Sequence, residues 1–233
     1  QLRDAPTAIS WSAEALLTGT PGPLNERQRE YVEEIYRRNK SSIGLINDLL
    51  NVSRLDLGTF IIEPETISLK DICKNELKQF ELPMKEKKLV LKEDYDGETP
   101  TISADPQLVQ VIFQNLISNA IYYTPEGGEI KVGLELREGK DGVIFSVADT
   151  GYGIPESQQP KIFGRMFRAD NAKVVRSGGS GLGLYVVKSI LDQVGWTIRF
   201  SSREGKGTTF YVDIPLTGMA KREGQTKITR GVV

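Results

Sequence analysis

Two asparagines in the stretch NLISNAIYYTP, residues 115 to 125, have types and spacing that could do chemistry. Asn115 and Asn119 are four positions apart, so on a helix both side chains lie on the same face. Amide oxygens on one face can hold a hydrated divalent cation, because Mg²⁺ takes oxygen ligands and keeps several waters. The alternative interpretation is a pair of amides that are only solvated on a helix surface.

A carboxylate stands where a predicted strand ends. The segment DTGYGIP, residues 149 to 155, directly follows the strand-like run VIFSVA. Asp149 can accept a hydrogen bond from a ligand amine, while Gly151 and Gly153 let the backbone approach that ligand closely. An ordinary Asp-Gly turn is the alternative.

The stretch GGSGLGLYVVKSI, residues 178 to 190, joins a glycine-rich loop to an apolar helix pattern. The free N–H groups at a helix start suit an anion, and glycines permit close approach of the backbone. The stretch is not a Walker loop, because no Gly-Lys-Ser/Thr follows, and its spacing misses the dinucleotide fingerprint. A flexible surface loop before a core helix is the alternative.

A fourth segment, KIFGRMFRADNAKVVRSGGS, precedes and overlaps that glycine stretch. Phe163 and Phe167 would anchor one end of a polar, charged segment of about a dozen residues, and glycines would hinge the other end. This pattern is typical of a lid over a ligand site.

Helices and strands must position these residues, and hydrophobic periodicity predicts a helical hairpin first. Residues 2 to 17 form one helix, TGTPGPL is a turn, and Asn25 with Gln28 forms a capping box for a second helix that ends near Asp56. The second helix carries an apolar stripe, interrupted by Arg38 and Ser42, of Tyr31, Ile35, Leu45, Leu49 and Val52.

The two arms of the hairpin differ in length. At roughly 1.5 Å per residue the second helix overhangs the first by about 20 Å, which predicts that the first helix continues upstream of Gln1 and that the chain is a fragment. A two-helix hairpin cannot bury its stripe alone, so we expect a dimeric four-helix bundle. The alternative is that the hairpin packs on the downstream part of the chain.

Downstream of Gly58, helices alternate with strands that pair mainly antiparallel. Ser68 caps a helix to about Phe80, Asp105 and Pro106 open a helix to Tyr123, and a hairpin turning at EGKG closes the pattern. We therefore expect an α+β chain: a hairpin over 1–57, an α/β sandwich with a mixed, mainly antiparallel sheet over 58–217, and a disordered tail over 218–233.

Composition excludes several classes of protein. The 30 basic and 31 acidic residues nearly balance, so charge gives no reason to expect nucleic acid as a partner. No apolar run reaches the roughly 18 residues of a membrane helix. Cys73 is the single cysteine and there is no histidine, which favours a reducing, cytoplasmic location and a buried thiol without a catalytic role.

Taken together, these motifs resemble the ATP-binding domain of sensor histidine kinases, within the wider gyrase, Hsp90, histidine kinase and MutL class of ATPases. The asparagine box, DxGxG box, phenylalanine box, GxGLGL box and GKGTTF turn follow the family order across about residues 60 to 216. The resemblance implies that ATP and Mg²⁺ bind here.

The resemblance also assigns roles. Asn119, with Asn115, would hold Mg²⁺ on the phosphates, and Asp149 would accept from the adenine amino group. Tyr122 departs from the family, because many relatives place a basic residue there, and Arg168 would supply charge instead. The complete set of implied ATP contacts is Asn115, Asn119, Tyr123, Asp149, Gly151, Gly153, Arg168, Gly179, Ser180, Gly181, Leu182, Gly183 and Thr208.

The hairpin resembles the dimerisation and phosphoacceptor domain of the same family, with its motif of the form HELRTPLTAI. When the opening QLRDAPTAI is aligned with this motif, the position of the phosphoaccepting histidine falls immediately before Gln1. Gln1 then takes the position of the acid that follows the histidine, and Asp4 takes that of the residue that serves the phosphatase reaction. The resemblance implies phosphorylation of a histidine by ATP and transfer to an aspartate of a response regulator. Because the acceptor is absent, the chain is predicted unable to autophosphorylate.

Two other functions fit the same residues. A degenerate, non-catalytic and nucleotide-binding dimeric scaffold would explain Gln1, Asp4 and the missing histidine, whereas the intact glycine boxes favour a kinase. An ATPase or serine kinase of the same nucleotide fold would not need the long hairpin.

Overall fold

Two antiparallel helices open the chain, as the periodicity predicts. The structure, a computed structural model, describes residues 4–97, 99–175, 179–224 and 226–228. Helix α1 spans Asp4–Leu17 and helix α2 spans Glu26–Leu57. The capping box is confirmed, because the Asn25 side chain accepts from the Gln28 N–H and the Gln28 side chain accepts from the Asn25 N–H.

A buried asparagine fastens the two helices to each other. The side-chain amide of Asn39 donates to the Pro6 carbonyl at 2.6 Å and to the Ser10 hydroxyl oxygen at 2.7 Å. These bonds place the start of α1 beside the middle of α2. The predicted difference in length between the two helices is also present, because α2 has 32 residues and the described α1 has 14.

The apolar stripe of α2 divides into two parts. Val52 and Leu55 are buried against the downstream core. Four stripe residues remain between 47% and 55% exposed in the single chain: Tyr31, Ile35, Leu45 and Leu49. The alternative that the hairpin packs on the rest of the chain thus holds for the C-terminal part of α2 only.

The remaining elements form a sheet with helices on it. The helices are α3 Leu69–Gln79, α4 Glu81–Glu86, α5 Pro106–Tyr123, α6 Asp170–Val175 and α7 Gly183–Val194, with a 3-10 helix at Glu156–Lys161. The strands are β1 Glu65–Ser68, β2 Val90–Tyr95, β3 Thr101–Ala104, β4 Glu129–Leu136, β5 Gly142–Asp149, β6 Thr197–Arg203 and β7 Gly207–Pro215.

Five strands make a mixed, mainly antiparallel sheet in the order β2-β4-β5-β7-β6. Only the β2–β4 pair in this sheet is parallel, and β5 pairs with β7 in a register that sets Asp149 opposite Thr208. This confirms the predicted fold class. The register matters for function, because it joins the end of β5 to the start of β7.

Helix α5 supplies the centre of the core. Its predicted inner face is buried: Val109, Ile112, Phe113, Leu116, Ile117 and Ala120. Phe113 stacks on Phe145 of β5 with ring centroids 3.7 Å apart, which fastens α5 to the sheet. The outer face of α5 stays free for the asparagines.

Four short elements were not predicted from the sequence: β3, α4, α6 and the 3-10 helix, of which the first two are part of the domain core. Strand β3 begins within GETPTIS, residues 97 to 103, runs on to Ala104, and pairs with β1 in a separate two-stranded sheet. Helix α4 continues from Phe80, which ends α3 and begins α4. Both depend on packing against neighbours, which short propensity patterns do not encode.

The predicted disorder of the tail is wrong for residues 218–224 and 226–228. Met219 and Ile228 are buried, Arg222 forms a bridge with Ile62, and Thr226 forms one with Phe60. The polar composition of the tail predicted disorder, but two apolar anchors and backbone pairing are enough to hold it. Residues 225 and 229–233 of the predicted tail lie outside the described residues.

No helix in the described part of the chain is long and apolar enough to span a bilayer.

Candidate functional site

A cavity of about 870 Å³ lies between the hairpin and the sheet domain. Its walls come from α2, α5, the ends of β5 and β7, the segment before α6 and the start of α7. Segments far apart in sequence therefore meet at one place, and three of them are the asparagine, aspartate and glycine motifs predicted to carry chemistry.

The α5 wall presents both predicted asparagines. Asp105 caps α5 by accepting from the N–H groups of Gln107 and Leu108, which sets the start of the helix. Asn115 and Asn119 then line the cavity from the outer face of α5. The predicted shared face is present in the structure.

The Asn115 side chain has a fixed orientation. Its Nδ2 donates to the Val111 carbonyl at 2.8 Å, which directs Oδ1 towards the start of α7. A Cβ at Gly183 would lie 2.5 Å from that oxygen, so only glycine lets the first turn of α7 approach this closely. The glycine stretch and the asparagine face are thus in contact.

The described residues fit a cation that arrives with an anionic ligand. No group of three or more His, Cys, Asp or Glu side chains that could hold a metal occurs in the described ranges. The amide oxygen of Asn115, fixed by its bond to Val111, and the amide of Asn119 offer neutral oxygen ligands of the kind Mg²⁺ accepts. Oxygens of the ligand and water would complete such a site.

Asp149 closes the other end of the cavity. Its Oδ1 accepts hydrogen bonds from the N–H groups of Gly151 at 2.8 Å and Thr208 at 3.3 Å. Burial raises the pKa of Asp149 to about 6, and these two hydrogen bonds oppose the rise. The carboxylate is therefore held in one orientation and has a second oxygen that can accept from a ligand.

Gly151 lies behind the wall and does not line the cavity. A Cβ there would lie 2.2 Å from the Tyr123 carbonyl, and that carbonyl accepts from the Tyr152 N–H at 3.1 Å. The end of α5 and the loop after β5 consequently pack backbone against backbone, which requires glycine. Gly151 shapes the pocket indirectly, whereas Gly153 lines it.

The start of α7 carries the glycine stretch. Gly179, Ser180, Gly181 and Gly183 line the cavity, Leu182 is buried behind them, and Gly178 lies outside the described residues. The Ser180 hydroxyl oxygen accepts from the Leu182 N–H at 3.2 Å and its hydrogen is donated to Asp48 at 2.7 Å. The loop is therefore bonded to the hairpin.

The predicted lid forms the outer wall. Phe163 packs edge-on against Phe200 at 5.9 Å, whereas Phe167, Arg168 and Asn171 line the cavity. Arg168 donates to the Ala172 carbonyl at 3.1 Å, so its position at the cavity is fixed by the lid itself. The predicted hinge partly lies outside the described residues, because 176–178 are not described.

Most of the predicted ATP contacts share this cavity. Those that line it are Asn115, Asn119, Tyr123, Asp149, Gly153, Arg168, Gly179, Ser180, Gly181, Gly183 and Thr208. Gly151 and Leu182 support the wall from behind. Asp4 begins α1 and does not line the cavity, and Gln1 lies outside the described residues.

Sequence reasoning missed the contribution of the hairpin and of Asn171. One face of α2 lines the cavity, with Tyr36, Arg37, Lys40, Gly44 and Asp48 among its residues. Their spacing is helical, but nothing in that spacing says which domain the face meets. Asn171 donates from Nδ2 to the Gly153 carbonyl at 2.9 Å, a contact between lid and aspartate loop without a sequence signal.

Two family models match the chain. Residues 6–58 match the His Kinase A (phospho-acceptor) domain. Residues 104–218 match the family of histidine kinase-, DNA gyrase B- and HSP90-like ATPases.

Curated relatives match over nearly the whole chain. It is 35% identical over 217 residues to the circadian input-output histidine kinase CikA of Synechococcus elongatus, which covers 92% of this chain and 28% of CikA. The chain is thus similar to less than a third of that relative's length.

Solved structures match as well. The catalytic domain of histidine kinase ThkA is 30% identical with a TM-score of 0.57, covering 66% of this chain and 98% of that domain. ThkA in complex with response regulator protein TrrA covers 93% of this chain and 59% of that chain, at 24% identity and a TM-score of 0.64. Full-length ShkA in complex with AMPPNP covers 94% of this chain and 45% of that chain, at 24% identity and a TM-score of 0.74. The two matches at 24% show a shared fold.

Proposed function

Because this chain belongs to the sensor histidine kinase family, as part of the catalytic core, we propose that it binds Mg-ATP for phosphoryl transfer to a histidine and then to a response regulator aspartate. The meeting of Asn119, Asp149 and the glycine stretch around one cavity carries the proposal. Three motifs far apart in sequence line one cavity, which is the arrangement expected when one ligand contacts them all.

The shape of the cavity supports a direction for the nucleotide. Adenine would lie at Asp149, whose free oxygen accepts from its amino group, with Thr208 and Gly153 beside it. The phosphates would lie at the start of α7, between the glycine stretch and Asn115. When bound, Mg²⁺ would neutralise phosphate charge, held by Asn119 and Asn115 through their amide oxygens.

The chemical task of this chain's own residues is positioning. Phosphoryl transfer needs little covalent help from the protein and depends on alignment and charge. Many relatives carry a basic residue at the position of Tyr122. Here Arg168 on the lid would supply the positive charge at the cavity instead. The lid would cover the outer side of the ligand and limit the access of water.

The acceptor belongs to the N-terminal end of α1. We place the histidine slot immediately before Gln1, with Gln1 able to orient an imidazole and Asp4 at the phosphatase position. Asn39 holds this end of α1 against α2 through Pro6 and Ser10, and neighbouring residues of α2 line the nucleotide cavity. The acceptor end is thus tied to the helix that borders the nucleotide.

Two partners follow from the family. A second copy would cover the exposed α2 stripe within residues 1–57. A response regulator receiver domain would dock on the hairpin; the similar kinase ThkA forms a complex with response regulator protein TrrA. Residues 58–217 would then act as the catalytic domain on the cytoplasmic side. A nucleotide-binding, non-catalytic scaffold would line the cavity with the same residues, so the kinase is favoured by the similarity to histidine kinases and not by the cavity.

A binding and labelling experiment tests the proposal. The 233-residue chain should bind Mg-ATP in calorimetry and acquire no radiolabel from γ-labelled ATP, because the acceptor histidine is absent. Asp149→Asn should weaken binding about 10-fold or more, by loss of a charged hydrogen bond. Asp192→Asn, on the exposed face of α7, is the matched control and should bind as the parent does. Absence of binding contradicts the nucleotide site; label on the chain contradicts the acceptor assignment.

A further inference from the structure

A carboxylate of the hairpin lies at the place expected for phosphate. Asp48 on α2 lines the cavity and accepts a 2.7 Å hydrogen bond from the Ser180 hydroxyl of the glycine stretch. The phosphate end of a nucleotide, as proposed above, would contact this same stretch. Two anions would then compete for one loop.

The hydrogen bonds of Ser180 sharpen this conflict. Its hydroxyl hydrogen goes to Asp48, and its oxygen takes the N–H of Leu182, the residue that precedes α7. A phosphate at the start of a helix uses such N–H and hydroxyl donors. While α2 is docked, both donors already have partners. The Ser180 hydroxyl donates to the Asp48 carboxylate, and the Leu182 N–H donates to the Ser180 oxygen.

Other contacts hold α2 in this position. Asp56 accepts from the Tyr185 hydroxyl at 2.7 Å and pairs with Arg165 at 2.5 Å, and Gln193 donates to the Leu55 carbonyl at 2.8 Å. These bonds lie outside the cavity. They keep Asp48 at Ser180 by fixing the C-terminal part of α2 on α7.

Two basic residues of the same helix, Lys40 and Arg37, also line the cavity, with backbones about 12 and about 16 Å from that of Asp48 along α2 at roughly 1.5 Å per residue. Burial raises the pKa of Asp48, while the Ser180 hydrogen bond opposes the rise, so the surroundings already disfavour its charge.

We propose that Asp48 is an affinity-determining residue of the nucleotide site, contributed by the hairpin, which competes with phosphate for Ser180 while α2 is docked. Binding of the triphosphate and this docked contact are then mutually exclusive. The hairpin thereby sets how tightly ATP is held. This inference rests on the proposed function, because it requires phosphate at the glycine stretch.

The test compares two ligands and two variants by calorimetry. Asp48→Asn removes the charge and keeps an oxygen that can accept from Ser180, so Mg-ATP should bind about 10-fold more tightly, which is about 1.4 kcal/mol. Adenosine, which has no phosphate, should bind with unchanged affinity. Glu34→Gln is the matched control, since it removes one negative charge from α2 outside the cavity and should leave both affinities as they are.

Each outcome decides one claim. Unchanged Mg-ATP affinity in Asp48→Asn, with the parent chain binding Mg-ATP, overturns the competition and leaves the nucleotide site standing. Equal gains for Mg-ATP and adenosine also overturn it, because the effect would then not involve phosphate. If the parent binds neither ligand, the proposed function itself fails. Retained adenosine binding shows that the variant is folded.

Discussion

Asp149 shows how one residue can serve binding at a cost in stability. Its pKa of about 6 in the folded chain lies above the ordinary value of 3.8, because burial disfavours the charge. The folded state therefore binds the proton more tightly than the unfolded state does. The stability that this protonation contributes is present at low pH and is lost as the pH rises through about 6. Above that pH the carboxylate is ionised and can accept a charged hydrogen bond.

The raised pKa predicts pH-dependent recognition of adenine. Adenosine should bind about 10-fold more weakly at pH 5 than at pH 7.5, since at one unit below the pKa only about a tenth of Asp149 is ionised. Calorimetric titration measures this, and adenosine has no phosphate that titrates in the range. Asp149→Asn should bind weakly at both pH values. A parent affinity that does not change with pH would contradict the role of the carboxylate.

At the residue scale, Asn115, Asn119 and Asp149 were selected for their types and local spacing, and the structure brings them to one cavity. Their contacts with a ligand stay a prediction. Asp48 could not be identified this way. Its role depends on Ser180, which is 132 positions away, and no local pattern connects the two.

At the scale of elements, the C-terminal end of helix α5 depends on a lysine that lies outside the helix. Lys87 donates from Nζ to the carbonyls of Ile121, Tyr122 and Thr124 at 2.9, 3.0 and 2.8 Å. The first two carbonyls belong to the last turn of α5 and the third to its C-cap residue, so no following helical N–H reaches them. The neighbouring Tyr123 carbonyl accepts from the Tyr152 N–H, in the loop that follows Asp149. By holding the end of α5, Lys87 therefore helps to position it against this loop.

Removal of this amine should loosen the site as well as the fold. Lys87→Met should lower the free energy of unfolding by about 1–3 kcal/mol, as expected when charged hydrogen bonds to partly buried carbonyls are lost. It should also weaken adenosine binding, and Lys87→Arg should restore part of both. Denaturant melts and calorimetry measure the two effects. Lys85→Met, at an exposed lysine of α4 two residues before Lys87, is the control; equal losses in both lysine variants would exclude a specific role.

Elements with local signals were predicted, and those stabilised from a distance were not. The capping residues Asn25, Ser68 and Asp105 act within a few positions, so the starts of α2, α3 and α5 were correct. Strand β3 needs β1 as its partner, and the tail needs residues 58–62. A polar or turn-like composition says nothing about such partners.

The single chain as a whole leaves an apolar surface that a second copy would cover. The stripe residues of the N-terminal part of α2 stay exposed, whereas its C-terminal part is buried against the core. Burial of apolar area gives roughly 25 cal/mol per Å², so a paired stripe on two hairpins would favour association. The C-terminal part of α2 thus packs on its own chain, and its N-terminal part leaves an apolar surface for a second copy.

A charge in the stripe should separate the copies. Leu49→Glu should shift the chain from dimer to monomer in sedimentation velocity, because burying an unpaired carboxylate is costly. Leu49 is 53% exposed in the single chain, so its own fold should tolerate the change. Leu82→Glu, at a leucine of α4 that is 65% exposed, is the matched control and should remain dimeric. A dimer that survives Leu49→Glu would place the interface elsewhere.

The contacts of the tail with the end of α2, at Arg54 and Gly58, have a consequence for biosynthesis. Arg222 donates to the Gly58 carbonyl at 2.6 Å and Arg54 to the Lys227 carbonyl at 2.7 Å, across 164 and 173 positions of the chain. The hairpin can form as soon as it leaves the ribosome, since its contacts are local. The contacts of the tail with the end of α2 can form only after residues 222–227 have been translated, which is later than the contacts of α2 with Ser180, Tyr185 and Gln193.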